Sequence, residues 1–171
     1  MHTLDGYNGI EREHSTLTFS GMNGGNYVYH GTCSKGEFFV IKNSSLNDFI
    51  IDKSMGTINV YEVFKWPLTI GEHHDFSFRD PLASVQMHVS VEGAEKITAP
   101  AGSYDSYRIL TKGQWHNANS SASGPLKEVI WYAPEISHII KSEHTDHTNK
   151  SSIYNWYKTE MLSYQPGEFR E

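Results

Sequence analysis

Cysteine is almost missing from this sequence. Cys33 is the only one in 171 residues, which excludes an intrachain disulfide and any zinc site built on several thiolates. Its neighbours Gly31-Thr32-Cys33-Ser34-Lys35 supply one cation, so a bystander thiol is expected rather than a reactive one. Basic residues are also in short supply: fourteen Lys and Arg face twenty Asp and Glu, a formal net charge of -6, with a pI near 5.9. With no basic cluster to track a phosphate backbone, nucleic acid is not an expected partner. No run of about 18 apolar residues is present and mean hydropathy is -0.52, so no transmembrane span and no apolar signal stretch near Met1 are expected.

The familiar reaction motifs are missing as well. There is no Gly-x-Ser-x-Gly elbow, His-Glu-x-x-His helix, phosphate-cradling glycine loop or Cys-x-x-Cys pair. Catalytic groups can still converge from separate strands, but no nucleophile or acid is nominated, and no cofactor is expected.

Aromatic residues make up 13%, including ten Tyr and four Trp, enough to fill the core of one soluble domain of this length. Helical three-and-four spacing is lacking, and apolar residues alternate or cluster in short β-branched and aromatic runs. Strands are expected at 16–20, 27–32, 37–42, 46–52 and 57–63, separated by turn formers such as Gly24-Gly25, Ser34-Lys35-Gly36, Asn43-Ser44-Ser45 and Ser54-Met55-Gly56. Such short connections require antiparallel neighbours.

Beyond Trp66-Pro67-Leu68 the strands lengthen, to 74–78, 84–98, 104–115, 126–132, 136–143 and 153–164. In the second of these Val85, Met87, Val89 and Val91 point one way, and Gln86, His88, Ser90 and Glu92 the other. Gly93 should mark a bulge. The stretches 114–124 and 142–152 read as polar loops, and 1–15 as a loosely ordered N-terminal segment of a single domain, 1–171, with Glu11-Arg12-Glu13-His14 a solvated charge run.

Ten histidines raise the question of metal binding. His144 and His147 in Glu143-His144-Thr145-Asp146-His147 are weak candidates, because the stretch reads as a polar tip. His74 falls on the side of Phe76 and Phe78, where a hydrogen-bonded core histidine is the plain alternative to a ligand, and His88 shares a polar face with Gln86 and Glu92.

Three segments, taken together and in order, resemble a known family: Trp66-Pro67-Leu68-Thr69-Ile70-Gly71, Glu95-Lys96-Ile97-Thr98-Ala99-Pro100-Ala101-Gly102-Ser103-Tyr104 and Trp131-Tyr132-Ala133-Pro134. They are similar to the TapB-like bacterial envelope proteins, relatives of a numbered domain of unknown function and distantly similar to lipoprotein-carrier half-barrels. The resemblance runs from near Gly36 to Tyr164. Two positions depart from the family pattern: His74 stands where a Trp is usual, and Ser137 where a glycine is usual.

The resemblance implies a periplasmic, secreted or outer-membrane-associated domain whose precursor carries an export signal not seen in this chain, the signal having been cleaved or left out. It also implies an all-β fold: one highly curved antiparallel sheet forming a barrel or half-barrel with little or no helix. The leading expectation is a non-enzymatic domain that holds a lipid, another apolar small molecule or a partner segment, lined by Phe76, Phe78, Val85, Met87, Val89, Trp131, Trp156 and His74. The alternative is an adaptor with a filled core that docks on another envelope protein. A third reading, a metal protein or enzyme, would use His74, His88, His144 or His147.

Overall fold

The computed structural model describes residues 1–52, 57–79, 81–151 and 154–166. Twelve strands alternate with short connections: β1 (His2–Asp5), β2 (Glu11–Asn23), β3 (Asn26–Cys33), β4 (Gly36–Lys42), β5 (Asp48–Asp52), β6 (Thr57–Tyr61), β7 (His73–Arg79), β8 (Ala83–Ala99), β9 (Gly102–Asn117), β10 (Ser123–Ala133), β11 (His138–Asp146) and β12 (Asn155–Glu160). Among the described residues there is no α-helix, only a 3-10 turn at Pro134–Ile136. All twelve strands form one sheet, in the order β6-β5-β4-β3-β2-β1-β12-β11-β10-β9-β8-β7, with antiparallel pairing between neighbours. The expected all-β, highly curved antiparallel sheet is what the chain adopts.

The order places the two ends of the chain side by side in the middle of the sheet, where His2 pairs with Glu160 and Asp5 with Tyr157. The segment 1–15, expected to be loosely ordered, is therefore woven into β1 and β2. The charge run there lies on strand β2 with Glu11, Arg12 and His14 exposed, as a solvated run should be, and Arg12 is bound to Asp5 at 2.6 Å and to Asn155 Oδ1 at 3.0 Å. The sheet's free edges, β6 and β7, face each other through side chains: Asn59 Nδ2 donates to Arg79 O at 2.8 Å, and Tyr61 packs edge-on against Phe76 at 5.1 Å. The sheet is nearly closed into a barrel.

Several turns follow the residue chemistry. Pro100-Ala101 turns the β8–β9 hairpin and Gly102 enters β9 at φ +137°, a value that suits glycine. A register shift between Val91 and Gly93 forms the expected bulge. Because side-chain direction has period two, the extra residue reverses the faces beyond it. Val85 to Val91 thus face the inner core, while Ile97 joins the outer one. Both expected polar loops are shorter than their composition suggests, since β9 runs to Asn117 and β11 to Asp146, where ladder partners hold polar side chains in strands. The turn at Ser54-Met55-Gly56 and the expected strand start at Ile153 lie outside the described residues.

The two faces of the β8–β11 region carry separate cores. The inner one comprises Phe76, Val85, Met87, Val89, Val91, Ile109, Ile130 and Tyr132, joined by Val63, Phe64 and Leu68. The last three come from the β6–β7 connection, which folds back into the concave side and plugs it. The outer core holds Leu110, Val129, Trp131, Ala133, Ile140 and Met161. The β8–β9 tip docks on it through the Ala101 N–H to Met161 O bond of 3.1 Å.

Candidate functional site

The concave face is divided into parts of different character. Its β7–β10 wall is largely apolar and covered by the plug, with a pocket of about 360 Å³ left between Val63, Leu68, His74 and Val91. Phe76, Val85, Met87 and Val89, four of the residues expected to line a ligand cavity, have exposures of 7%, 6%, 3% and 0%. Phe78 packs half-buried against the same cluster. These side chains lie in one cluster with the chain's own Val63, Phe64 and Leu68, and Phe76 and Phe78 pack edge-on against Tyr61.

His74 belongs to the plug's attachment. Its Nε2 lies 2.7 Å from Glu62 O, and since a carbonyl only accepts, Nε2–H donates. Asn47 makes the strongest attachment: its Nδ2 donates to Phe64 O at 2.7 Å and its Oδ1 accepts from Phe64 N at 2.6 Å. Trp66 Nε1 donates to Ser45 O at 2.8 Å. Sequence reasoning missed Asn47, which fell inside the strand expected at 46–52, whereas β5 begins at Asp48. Its 4% exposure, unusual for an asparagine, is visible only in the fold.

Trp131 and Trp156 do not share the concave face with the phenylalanines. Trp131 sits in the outer core and donates from Nε1 to Glu95 Oε1 at 2.7 Å. Trp156 also points outward, donating to Glu143 Oε1 at 2.9 Å. Their expected placement fails for a simple reason. Both sides of these strands carry apolar or aromatic residues, so composition does not reveal which side faces inward.

The wall formed by β11, β12, β1 and β2 is polar and half-buried. Alternation puts Ser142, His144, Tyr157, Thr159, Thr3 and Ser15 on its inner side. Thr3 and Thr159 hydroxyls are 3.1 Å apart, and His144 stacks on Tyr157 at 4.5 Å while its Nε2 meets Asp146 Oδ2 at 3.0 Å. Where this wall meets the apolar one, Glu128 faces inward and accepts a long hydrogen bond from the Tyr61 hydroxyl at 3.4 Å. Burial drives the Glu128 carboxyl up to about 7, against the opposing effect of the Tyr61 bond, with the Asp48 charge adding to the rise. Burial likewise raises the Tyr61 phenol and pushes Tyr157 to about 12. His138 is displaced the other way, down to about 4, by burial and then by the Lys42 charge.

On β2–β4 the concave face is aromatic and incompletely covered. Leu17, Phe19, Tyr29, Phe38 and Val40 fall on one side by register. Phe19 is 53% exposed and meets Tyr29 edge-on at 5.5 Å. Phe38 lies over Gly31, where a Cβ would come within 2.3 Å of its ring. Burial raises the Tyr29 phenol, with Tyr132 of the opposite wall among the charges that add to the shift.

The histidines proposed for a metal do not converge. His147 stacks against Tyr154 at 4.5 Å rather than joining His144, and His88 pairs with Asp75 at 2.6 Å on the outer face. Among the described residues no group of three or more His, Cys, Asp or Glu is placed to hold an ion. Nor is any helix long and apolar enough to cross a membrane.

No protein-family model matches the chain, and no curated protein does. Two solved structures share its architecture. One is described as a "putative lipoprotein" from Parabacteroides distasonis, with a TM-score of 0.54 and 13% identity over 92% of this chain and 89% of that one. The other is a "putative exported protein with YmcC-like fold" from Bacteroides fragilis, with a TM-score of 0.53 and 12% identity over 96% and 93%. At such identities the likeness is one of fold. That likeness extends over about nine-tenths of this chain in each case.

Proposed function

We propose that this chain is an exported bacterial envelope domain, of the TapB-like kind suggested by its three motifs, that works by binding rather than by catalysis. Its concave face holds an amphiphilic small molecule. The observation that carries this reading is the unequal filling of that face: the β7–β10 wall is plugged by the chain itself, whereas the aromatic β2–β4 wall and the hydroxyl-rich β11–β1 wall stay half-covered. An apolar tail fits against Leu17, Phe19, Phe38 and Val40. A polar head fits the Thr3, Thr159, Ser142 and His144 side, where hydroxyl and imidazole groups can exchange hydrogen bonds with it. The described lipoprotein and exported protein of like fold support the envelope setting.

Native mass spectrometry of protein purified without detergent, followed by organic extraction, tests the reading. A releasable adduct of a few hundred daltons is expected, with loss of most of it in Leu17→Arg or Phe38→Asp. A clean apo mass of 19.4 kDa after incubation with an envelope lipid extract refutes amphiphile binding and leaves an adaptor with a filled core.

A further inference from the structure

On the opposite, convex side of β10–β12 lies a pocket of about 350 Å³. Its floor is a small grid of outward residues: Lys127 pairs with Thr145, and Thr145 with Trp156. Glu143 lies one step along the same face. Tyr7, from the β1–β2 turn, and Tyr154, just before β12, form the walls. We propose that this pocket is a binding site for a neutral saccharide unit.

The walls are rigid. Tyr7 donates its hydroxyl to Tyr154 O at 3.0 Å, and its ring stands edge-on to Trp156 at 5.3 Å. Its backbone N–H donates to Asp5 Oδ1 at 2.9 Å. Trp156 is itself immobile: Gly6 packs so tightly on the indole that a Cβ there would come within 2.2 Å of it, and the indole N–H is held by Glu143. Tyr7 and Tyr154 nevertheless keep 58% and 49% exposure. Two large aromatic rings, Tyr7 held by its hydroxyl bond and Tyr154 by the His147 ring at 4.5 Å, remain open to water and offer faces on which the C–H side of a pyranose can stack at little further cost in side-chain entropy.

The polar atoms choose between ligand classes. Among the described residues, Thr145 Oγ1, the Tyr154 hydroxyl and Lys127 Nζ have no partner at the pocket, and Glu143 meets Trp156 and, at 3.8 Å, Lys158 through Oε1, leaving its second oxygen available. Lys127 and Lys158 disfavour a cationic ligand, and the free oxygen of Glu143 disfavours an anionic one. A quaternary ammonium would also meet Lys127, and Lys158 already lies 4.9 Å from the Trp156 ring centre. A purely apolar ligand would bury four polar groups without partners. A sugar's many hydroxyls satisfy both donors and acceptors.

The Trp156 indole N–H resonance reports on this site in two-dimensional NMR. Titration with glucose, N-acetylglucosamine and cellobiose should shift it saturably for at least one sugar, with a dissociation constant on the order of 1 mM. Tyr154→Ala should weaken that binding roughly tenfold, and Thr145→Val or Lys127→Ala, both exposed-face changes, should weaken it roughly threefold or more. Thr159→Val, on the concave wall, should leave it unchanged, which separates this site from amphiphile binding. The proposal is overturned if none of the three sugars shifts the indole at about 50 mM, far above that constant, or if Lys127→Ala and Thr145→Val bind as the parent does. It is also overturned if tetramethylammonium or an oligoproline peptide displaces the bound sugar and binds more tightly.

Discussion

Replacing Glu128 by Gln keeps the shape of the side chain and an oxygen to accept the Tyr61 hydroxyl, but removes its titration. In the folded chain the carboxyl loses its proton near pH 7, against an ordinary value of 4.5. Between those values the folded state holds a proton that the unfolded chain has released, so the contribution to stability is present at low pH and lost as pH rises. The interval multiplied by about 1.4 kcal/mol per pH unit sets a ceiling of about 3 kcal/mol. Some contact of the residue with solvent reduces it, so E128Q should exceed the parent by about 1–3 kcal/mol at pH 8 and match it at pH 4.

His138 has the opposite sign. Its folded value near 4 lies below the ordinary 6.5, so the folded state resists protonation and loses stability as pH falls through that range. The two effects offset each other between about pH 4.5 and 6.5, where the parent's contribution from this pair should be nearly flat. Urea unfolding followed by tryptophan fluorescence at pH 4, 5.5, 6.5 and 8 measures the difference directly. A gap between E128Q and the parent that stays constant across pH would refute the burial argument for Glu128.

Two further substitutions test how the plug and the last turn are held. Asn47→Ala strands the N–H and C=O of Phe64, both buried, and should cost about 2–4 kcal/mol in the same unfolding assay; a loss below about 0.5 kcal/mol, the range of ordinary surface changes, would mean that Asn47 does not anchor the segment. Ser137 sits at φ 51°, ψ 41°, a left-handed conformation, with its N–H bonded to Pro134 O. Ser137→Gly should therefore raise stability by about 1 kcal/mol, read as an increase in Tm, whereas a lower Tm would show that the serine side chain does more for this turn than its backbone costs.

Much of the architecture was legible from local chemistry. Alternation in Val85–Val91, the bulge at Gly93 and the Pro100-Ala101-Gly102 turn are short-range consequences of side-chain period and backbone freedom, and each is present in the fold. Position 137, where the resembled motif has glycine, has a left-handed backbone that favours that residue. Proline at 134 begins the 3-10 turn that ends β10. These features need only neighbouring residues to be decided.

What lies inside and what lies outside was not decidable in that way. Trp131 and Ile130 are equally apolar, yet successive strand residues point to opposite faces, and both faces of β9–β11 turned out to be covered. The plug at Val63, Phe64 and Leu68 depends on Asn47, Ser45 and His74, residues brought together only when the sheet curves. Strand alternation, turn chemistry and the absence of α-helix among the described residues were set by the sequence itself, because they arise from contacts along the chain. The filled wall, the open wall and the elevated Glu128 were set by closure of the sheet, because burial and charge environment belong to groups that are distant in sequence and adjacent only in space.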